Sequence, residues 1–166
     1  QNNHCLIYGN DVVARHFWPT TNDDSLRLYH WAQHLHRQGC EVVVATPRWH
    51  TSWPQRIVCS GISVARIEYP PRHSLRLGSY ARQLTHWLSQ AEGQFDLVYC
   101  DDPHADASTL LGHAALLRGA PVVVRYVETA EGSKTRRNAI EVCRRAHLIL
   151  VGNPVAEQQL LSAGID

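Results

Sequence analysis

The chain has 166 residues and 18.7 kDa, 44% hydrophobic and 19% charged, which suits one globular domain and argues against disorder. Mean hydropathy is −0.29, and no apolar run nears the roughly 18 residues that a membrane helix needs. A net charge of +1 and a pI near 7.9 exclude a generic polyanion binder, so no nucleic-acid partner is expected.

Short apolar runs alternate with amphipathic stretches along the chain. Cys5–Tyr8 is the first strand candidate, and it is too short for the core of a signal peptide. Leu28, Ala32 and Leu35 recur at helical spacing before Gly39, a helix stop. Val42–Ala45 follows as a strand. Arg56–Cys59 and Ile62–Ile67, joined by Ser60-Gly61, read as a hairpin or as two strand pieces, and Pro70-Pro71 forces an extended exit. Leu77, Tyr80, Leu84 and Trp87 mark a second helix and Leu97–Cys100 a strand. A third helix runs through Ala107, Leu110, Leu111, Ala114 and Leu117, closed by Gly119 and Pro121. After the strand Val122–Val124 come a helix through Ala139, Ile140 and Cys143, the strand Leu148–Val151, and a last helix with Asn153 as N-cap, Pro154 at its first position and Gly164 as stop. Nearly continuous hydrophobicity in the strands predicts burial on both faces. The fold class is therefore α/β: a doubly wound parallel sheet in three layers, strand order 3-2-1-4-5-6, burying Leu6, Val43, Val98, Val123 and Ile149. Residues 1–166 form one domain.

Five cysteines with no C-x-x-C pair read as free thiols, mostly buried, in a reducing and hence cytoplasmic setting. Among the eleven histidines, His30 and His34 share a helix face, but no carboxylate or thiol completes a ligand set, so no metal is expected. Fifteen of the sixteen basic residues are arginine, which suits phosphate or carboxylate recognition or simply reflects codon usage in a GC-rich genome. Arg136, Arg137, Arg144 and Arg145, with Glu141, read as a solvated helix face. The chain has no methionine, an initiator included, which points to a processed or trimmed chain.

Three chemical motifs fail. No G-x-G-x-x-G follows the first strand, and the sole lysine, Lys134, has no P-loop around it. Ser63 in Gly61-Ile62-Ser63-Val64-Ala65 lies inside a strand pattern, where it cannot top a nucleophile elbow. Ligands of doubly wound sheets sit beyond the carboxyl ends of the strands, near the reversal of strand order. Four strand exits there are polar. They are Gly9 to Asp24, with Arg15, His16, Trp18, Asn22, Asp23 and Asp24; Asp101-Asp102-Pro103-His104; Arg125 to Glu128; and Gly152-Asn153. Asp23, Asp24, Asp101 and Asp102 have helix capping as their alternative role.

With these elements in place, the chain resembles the N-terminal, Rossmann-like half of GT-B glycosyltransferases of the group 1 (family 4) type. Six segments carry the resemblance in order: Gly39-Cys40-Glu41-Val42 with Ala45-Thr46-Pro47; Gly61-Ile62-Ser63-Val64 with Ile67; Phe95-Asp96-Leu97-Val98-Tyr99 with Asp102-Pro103; Gly119-Ala120-Pro121-Val122-Val123-Val124; Cys143 to Val151; and Leu161 to Asp166. It implies the acceptor-binding half of a transferase that moves sugar from a nucleotide-sugar to a glycan, lipid or small-molecule acceptor, with retention. The C-terminal donor-binding domain, with its E-x7-E motif, is expected to be absent from this chain, and the isolated domain inactive. This half would bind no cofactor, the nucleotide-sugar donor belonging to the full-length enzyme. A bacterial, cytoplasmic role in polysaccharide biosynthesis, with peripheral membrane association of the full-length protein, goes with the resemblance. Two alternatives are a degenerate, non-catalytic recognition domain and half of a sugar-nucleotide epimerase.

The chain departs from the family at several positions. Asn22-Asp23-Asp24-Ser25 replaces the glycine pair that opens the first helix, Tyr99 and Asp101 stand where histidines are frequent, and Val127 replaces another histidine. The loop from Glu128 to Lys134 is short. Deprotonating an acceptor hydroxyl needs a carboxylate or imidazole, which selects Asp102, His104 and Glu128 as candidate catalytic residues. Trp18 offers a flat face for stacking on a sugar, with a core position as its alternative. Asn22, Asp23, Asp24, Asp101, Arg125 and Asn153 complete the expected substrate site.

Overall fold

A computed structural model describes residues 4–8, 23–48, 50–68, 76–90, 95–101, 105–128 and 133–166. Strands β1 (His4–Tyr8), β2 (Glu41–Arg48), β3 (Arg56–Cys59), β4 (Ile62–Glu68), β5 (Leu97–Cys100), β6 (Val122–Tyr126) and β7 (Leu148–Val151) form one seven-stranded sheet in the order β3-β4-β2-β1-β5-β6-β7. Every pairing is parallel except β3 with β4. With β4 as the third strand, this is the predicted 3-2-1-4-5-6 order with one antiparallel strand added at the edge. Ser60 (φ 50°) and Gly61 (φ 83°) make the two-residue turn into β4, both left-handed as a type I′ hairpin requires. Within β4, Ser63 pairs with Val43 on one side and Val58 on the other, which fixes it as a sheet residue.

Helices α1 (Asp23–Arg37), α2 (Arg76–Gln90), α3 (Ala105–Gly112), α4 (Ser133–Arg145) and α5 (Pro154–Ser162) flank the sheet. Strand alternation divides the core in two. Leu28 and Ala32 of α1 pack on Val42, Val44, Ile62, Val64, Tyr99 and Val123. On the other face Leu84, Leu110, Ala139, Cys143 and Leu160 from α2 to α5 pack on Val98, Cys100, Val122, Val124 and Tyr126. Of the five residues expected in the core, Val98 and Val123 are buried, while Val43 and Ile149 are partly buried against it. Leu6 sits in β1 opposite Val43 and Val98, its side chain outside the described residues.

The predicted third helix is interrupted. It stops at Gly112, and Ala114–Leu117 continues as a 3-10 turn after His113, which makes no side-chain cap bond. Gly112 and His113 are weak helix formers, while Leu117 still reaches the core. Arg118 (φ 50°) and Gly119 (φ 86°) then turn the chain into β6. The last helix begins as its sequence implies: the Asn153 side chain accepts a bond from the Ala156 backbone N–H at 2.8 Å, and Pro154 opens the first turn. Cys100 and Cys143 are buried free thiols, and Cys40 and Cys59 are half-exposed ones.

Candidate functional site

The chain leaves β1 toward β2 and β4, then returns past β1 to build β5, β6 and β7. Strand order therefore reverses between β1 and β5, and the crevice beyond their carboxyl ends is the expected ligand position. Asp101 is the first residue after β5, and Arg27 lies one turn into α1, the helix that follows β1. They meet there. Arg27 Nη2 donates to Asp101 Oδ1 at 2.9 Å and to Oδ2 at 2.8 Å. Tyr99 Oη donates to Asp101 Oδ1 at 2.8 Å. Arg125 of β6 brings Nη1 to 3.8 Å from the same oxygen, an ion pair longer than a hydrogen bond.

Two guanidinium groups thus face one carboxylate at the switch point. Burial opposes the Arg27 charge, but the Asp101 carboxylate, by its field and its hydrogen bonds, outweighs burial and raises that side chain above its ordinary range. Burial, reinforced by the negative charge of Asp101, pushes the Tyr99 phenol well above the usual tyrosine value, so it remains a proton donor. The Tyr99 ring is fixed from below by Trp31, with centroids 4.2 Å apart and planes tilted by 50°. Asp101 is already engaged by three groups, which makes it an organiser of cations and not a free base.

The sequence-predicted residues separate into three groups. Asp101 and Arg125 are brought together. Asn153 spends its side-chain oxygen on the α5 cap, and Glu128 is exposed two residues beyond β6. Trp18, Asn22, Asp102 and His104 lie outside the described residues, and of Asp23 and Asp24 only the backbone of the opening turn of α1 is described. Gly152 joins the cluster by position: an added Cβ there would lie 3.7 Å from Arg125 Nη2. Sequence reasoning missed Arg27 and Tyr99. Their signals were positional, because the first turns of a helix after β1 face the switch point and Tyr99 alternates away from Val98 and Cys100.

The same edge carries a second polar cluster, over β2 and β4. Arg48 Nη1 donates to Glu68, its Nη2 to the Thr51 carbonyl, and its Nε to the Trp53 carbonyl at 2.6 Å. Arg66, buried in β4, donates to the Pro54 carbonyl at 3.2 Å and lies 5.0 Å from the Trp53 ring centroid. Gln55 Nε2 adds a 3.1 Å bond to Glu68. Burial and, secondarily, the charge of Arg48 hold Arg66 below its ordinary range. The bond from Gln55 and then Arg48 lower the Glu68 carboxyl.

The model of the glycosyl transferase 4-like domain matches residues 25–166. The chain belongs to that family. The resemblance read from the sequence is thereby borne out. No curated protein matches the chain. Among solved structures, a sucrose-phosphate synthase from Thermosynechococcus elongatus shares the fold at TM-score 0.68 and 13% identity, over 98% of this chain and 45% of that one. An α,α-trehalose-phosphate synthase (UDP-forming) from Burkholderia vietnamiensis gives TM-score 0.57 at 11% identity, over 97% and 42%. The catalytic domain of starch synthase IV from Arabidopsis thaliana gives 0.57 at 13%, over 75% and 34%. The family 4-like chain thus spans less than half of each of these three. Among the described residues, no helix is long and apolar enough to cross a membrane.

Proposed function

We propose that the domain is the acceptor-binding half of a cytoplasmic glycosyltransferase, moving sugar from a nucleotide-sugar to a glycan, lipid or small-molecule acceptor in polysaccharide biosynthesis. The observation that carries this reading is the Arg27–Asp101–Arg125 cluster at the switch point of a glycosyl transferase 4-like domain. Oriented guanidinium N–H groups donate to acceptor hydroxyls or acidic substituents, and Asp101 fixes where those donors point. Tyr99 holds Asp101 from the core side. Proton removal from the acceptor hydroxyl falls to Asp102, His104 or Glu128, with Trp18, Asn22, Asp23 and Asp24 as further substrate-binding residues. The donor belongs to a second domain of the full-length protein, whose closure over this one would exclude water.

Transfer by the full-length protein from radiolabelled UDP-, GDP- and ADP-sugars into lipid and polysaccharide fractions tests the reading. Asp101→Asn and Arg27→Gln each remove a charge-assisted bond worth about 1.5–3 kcal/mol, so kcat/KM for the acceptor should fall about 10- to 100-fold. Unchanged rates in both, with the fold intact by circular dichroism, would remove this site.

A further inference from the structure

We propose that residues 50–55, the loop between β2 and β3, form a pre-built sugar-binding platform separate from the Asp101 cluster. The inference rests on the transferase reading only for the identity of the sugar. The loop carries two rings, His50 and Trp53, with centroids 4.9 Å apart and planes tilted by 59°. Between them stand Thr51 and Ser52, both exposed, as is His50, while Trp53 is half-buried. With Arg66 and His50 both packed on Trp53, the exposed His50 ring and the outward part of the half-buried Trp53 are left to meet the face of a pyranose where C–H bonds point outward. The Thr51 and Ser52 hydroxyls exchange hydrogen bonds with the rim. Neither a charged side chain nor a branched aliphatic one interrupts residues 50–55.

The loop is held more firmly than a connection requires. A turn bond from the Trp53 N–H to the His50 carbonyl closes it at 3.0 Å. Arg48 and Arg66 bind three of its carbonyls, those of Thr51, Trp53 and Pro54. Placing a buried and a half-buried guanidinium side by side costs desolvation and repulsion, and pairing between β3 and β4 does not need them. What the two arginines determine is the position of the loop. A loop already ordered avoids the entropy that a mobile one would lose on binding.

Register locates the platform. Tyr8 is level with both Ala45 and Cys100, so Arg48, three residues past Ala45, stands about 10 Å beyond the level of Cys100. Its strand is two spacings, again about 10 Å, from β5. The platform therefore flanks the switch-point crevice on the β2–β4 side and rises above it.

Saturation-transfer NMR on this chain with methyl α-glucoside, methyl β-glucoside, maltose and cellobiose tests the proposal without any donor. Transfer to the ring C–H protons of at least one sugar is expected. His50→Ala and Trp53→Ala should each weaken binding at least about tenfold, a loss of 1.4 kcal/mol. Trp53→Phe should keep most of it, and Val58→Thr, on exposed β3, should change nothing. His50 can be removed without touching the arginine clamp, so a folding defect in Trp53→Ala leaves the test intact. No transfer to any of the four sugars, or transfer undiminished by His50→Ala and Trp53→Ala, overturns the platform. Sugar binding here without transferase activity in the full-length protein would remove the transferase reading alone. Activity with an unchanged acceptor KM in both variants would remove the platform alone.

Discussion

Arg27, Tyr99 and Arg125 converge on one carboxylate, so none of the three can be altered without affecting the others. Tyr99→Phe keeps the ring against Trp31 and deletes the hydroxyl's bond to Asp101 along with its interaction with Arg27. The expected cost is about 0.5–1.5 kcal/mol, read as a shift in urea midpoint with unchanged slope. Alkaline titration gives a second reading. A phenol whose folded value is raised gives stability that is complete below the ordinary tyrosine pKa of about 10, and that stability is lost as pH rises through the raised value. Among the described tyrosines, Tyr99 and Tyr126 are both raised, burial being the leading cause in each. Absorbance at 295 nm should thus show a late ionising component that coincides with unfolding and shrinks in Tyr99→Phe. Burial likewise pushes the Cys143 thiol up to about 12. Cys40 and Cys59 should react with a thiol reagent at neutral pH, and Cys143 only in denaturant, with peptide mapping to separate them.

Helix α5 and the β3–β4 hairpin are elements whose local chemistry was legible in advance. Asn153 and Pro154 announced the start of α5, and replacing Asn153 with Ala should cost about 0.5–2 kcal/mol of unfolding free energy. Ser60-Gly61 announced the hairpin. Its second position needs a positive φ, and a Cβ there would meet His36 Nε2 at 2.4 Å, so Gly61→Ala should destabilise by about 1–2 kcal/mol, largely through backbone strain. The Glu68 pairing beside this hairpin is pH-dependent in a defined direction. Its carboxyl is lowered, so its contribution is present above the ordinary value of about 4.3 and fades as pH falls through the lowered one. Glu68 is close to half exposed, which keeps the effect below about 1 kcal/mol. Glu68→Gln should lower stability at neutral pH by up to that amount and leave it nearly unchanged at acid pH, which flattens the acid limb of the profile. The break in the third helix was not legible, because Leu110, Leu111, Ala114 and Leu117 satisfy a helical spacing whether or not hydrogen bonding is continuous. The clamp over residues 50–55 was hidden for a related reason: Arg48 and Glu68 are twenty residues apart, and only the parallel register of β2 and β4 makes them neighbours.

For the molecule as a whole, continuous apolar strands announced the parallel sheet, and the reversal of strand order between β1 and β5 located the site. What sequence could not supply was the pairing of side chains across that reversal. Arg27 and Asp101 are 74 residues apart, and nothing local to either predicts the contact. The same reversal has a consequence for how the chain is made. Strand β1 emerges from the ribosome before either neighbour, yet it becomes the middle of the sheet, with Cys5 pairing Val42 on one side and Leu97 on the other. At about 5–20 residues per second, the gap between Cys5 and Leu97 amounts to roughly 5–18 s during which the central strand has an open edge. A nascent chain arrested at residue 90 should therefore be protease-sensitive and prone to association through β1. One arrested beyond Val151, with β7 in place, should resist cleavage once clear of the exit tunnel. Of the seven described strands, β1 thus waits longest to have both edges covered.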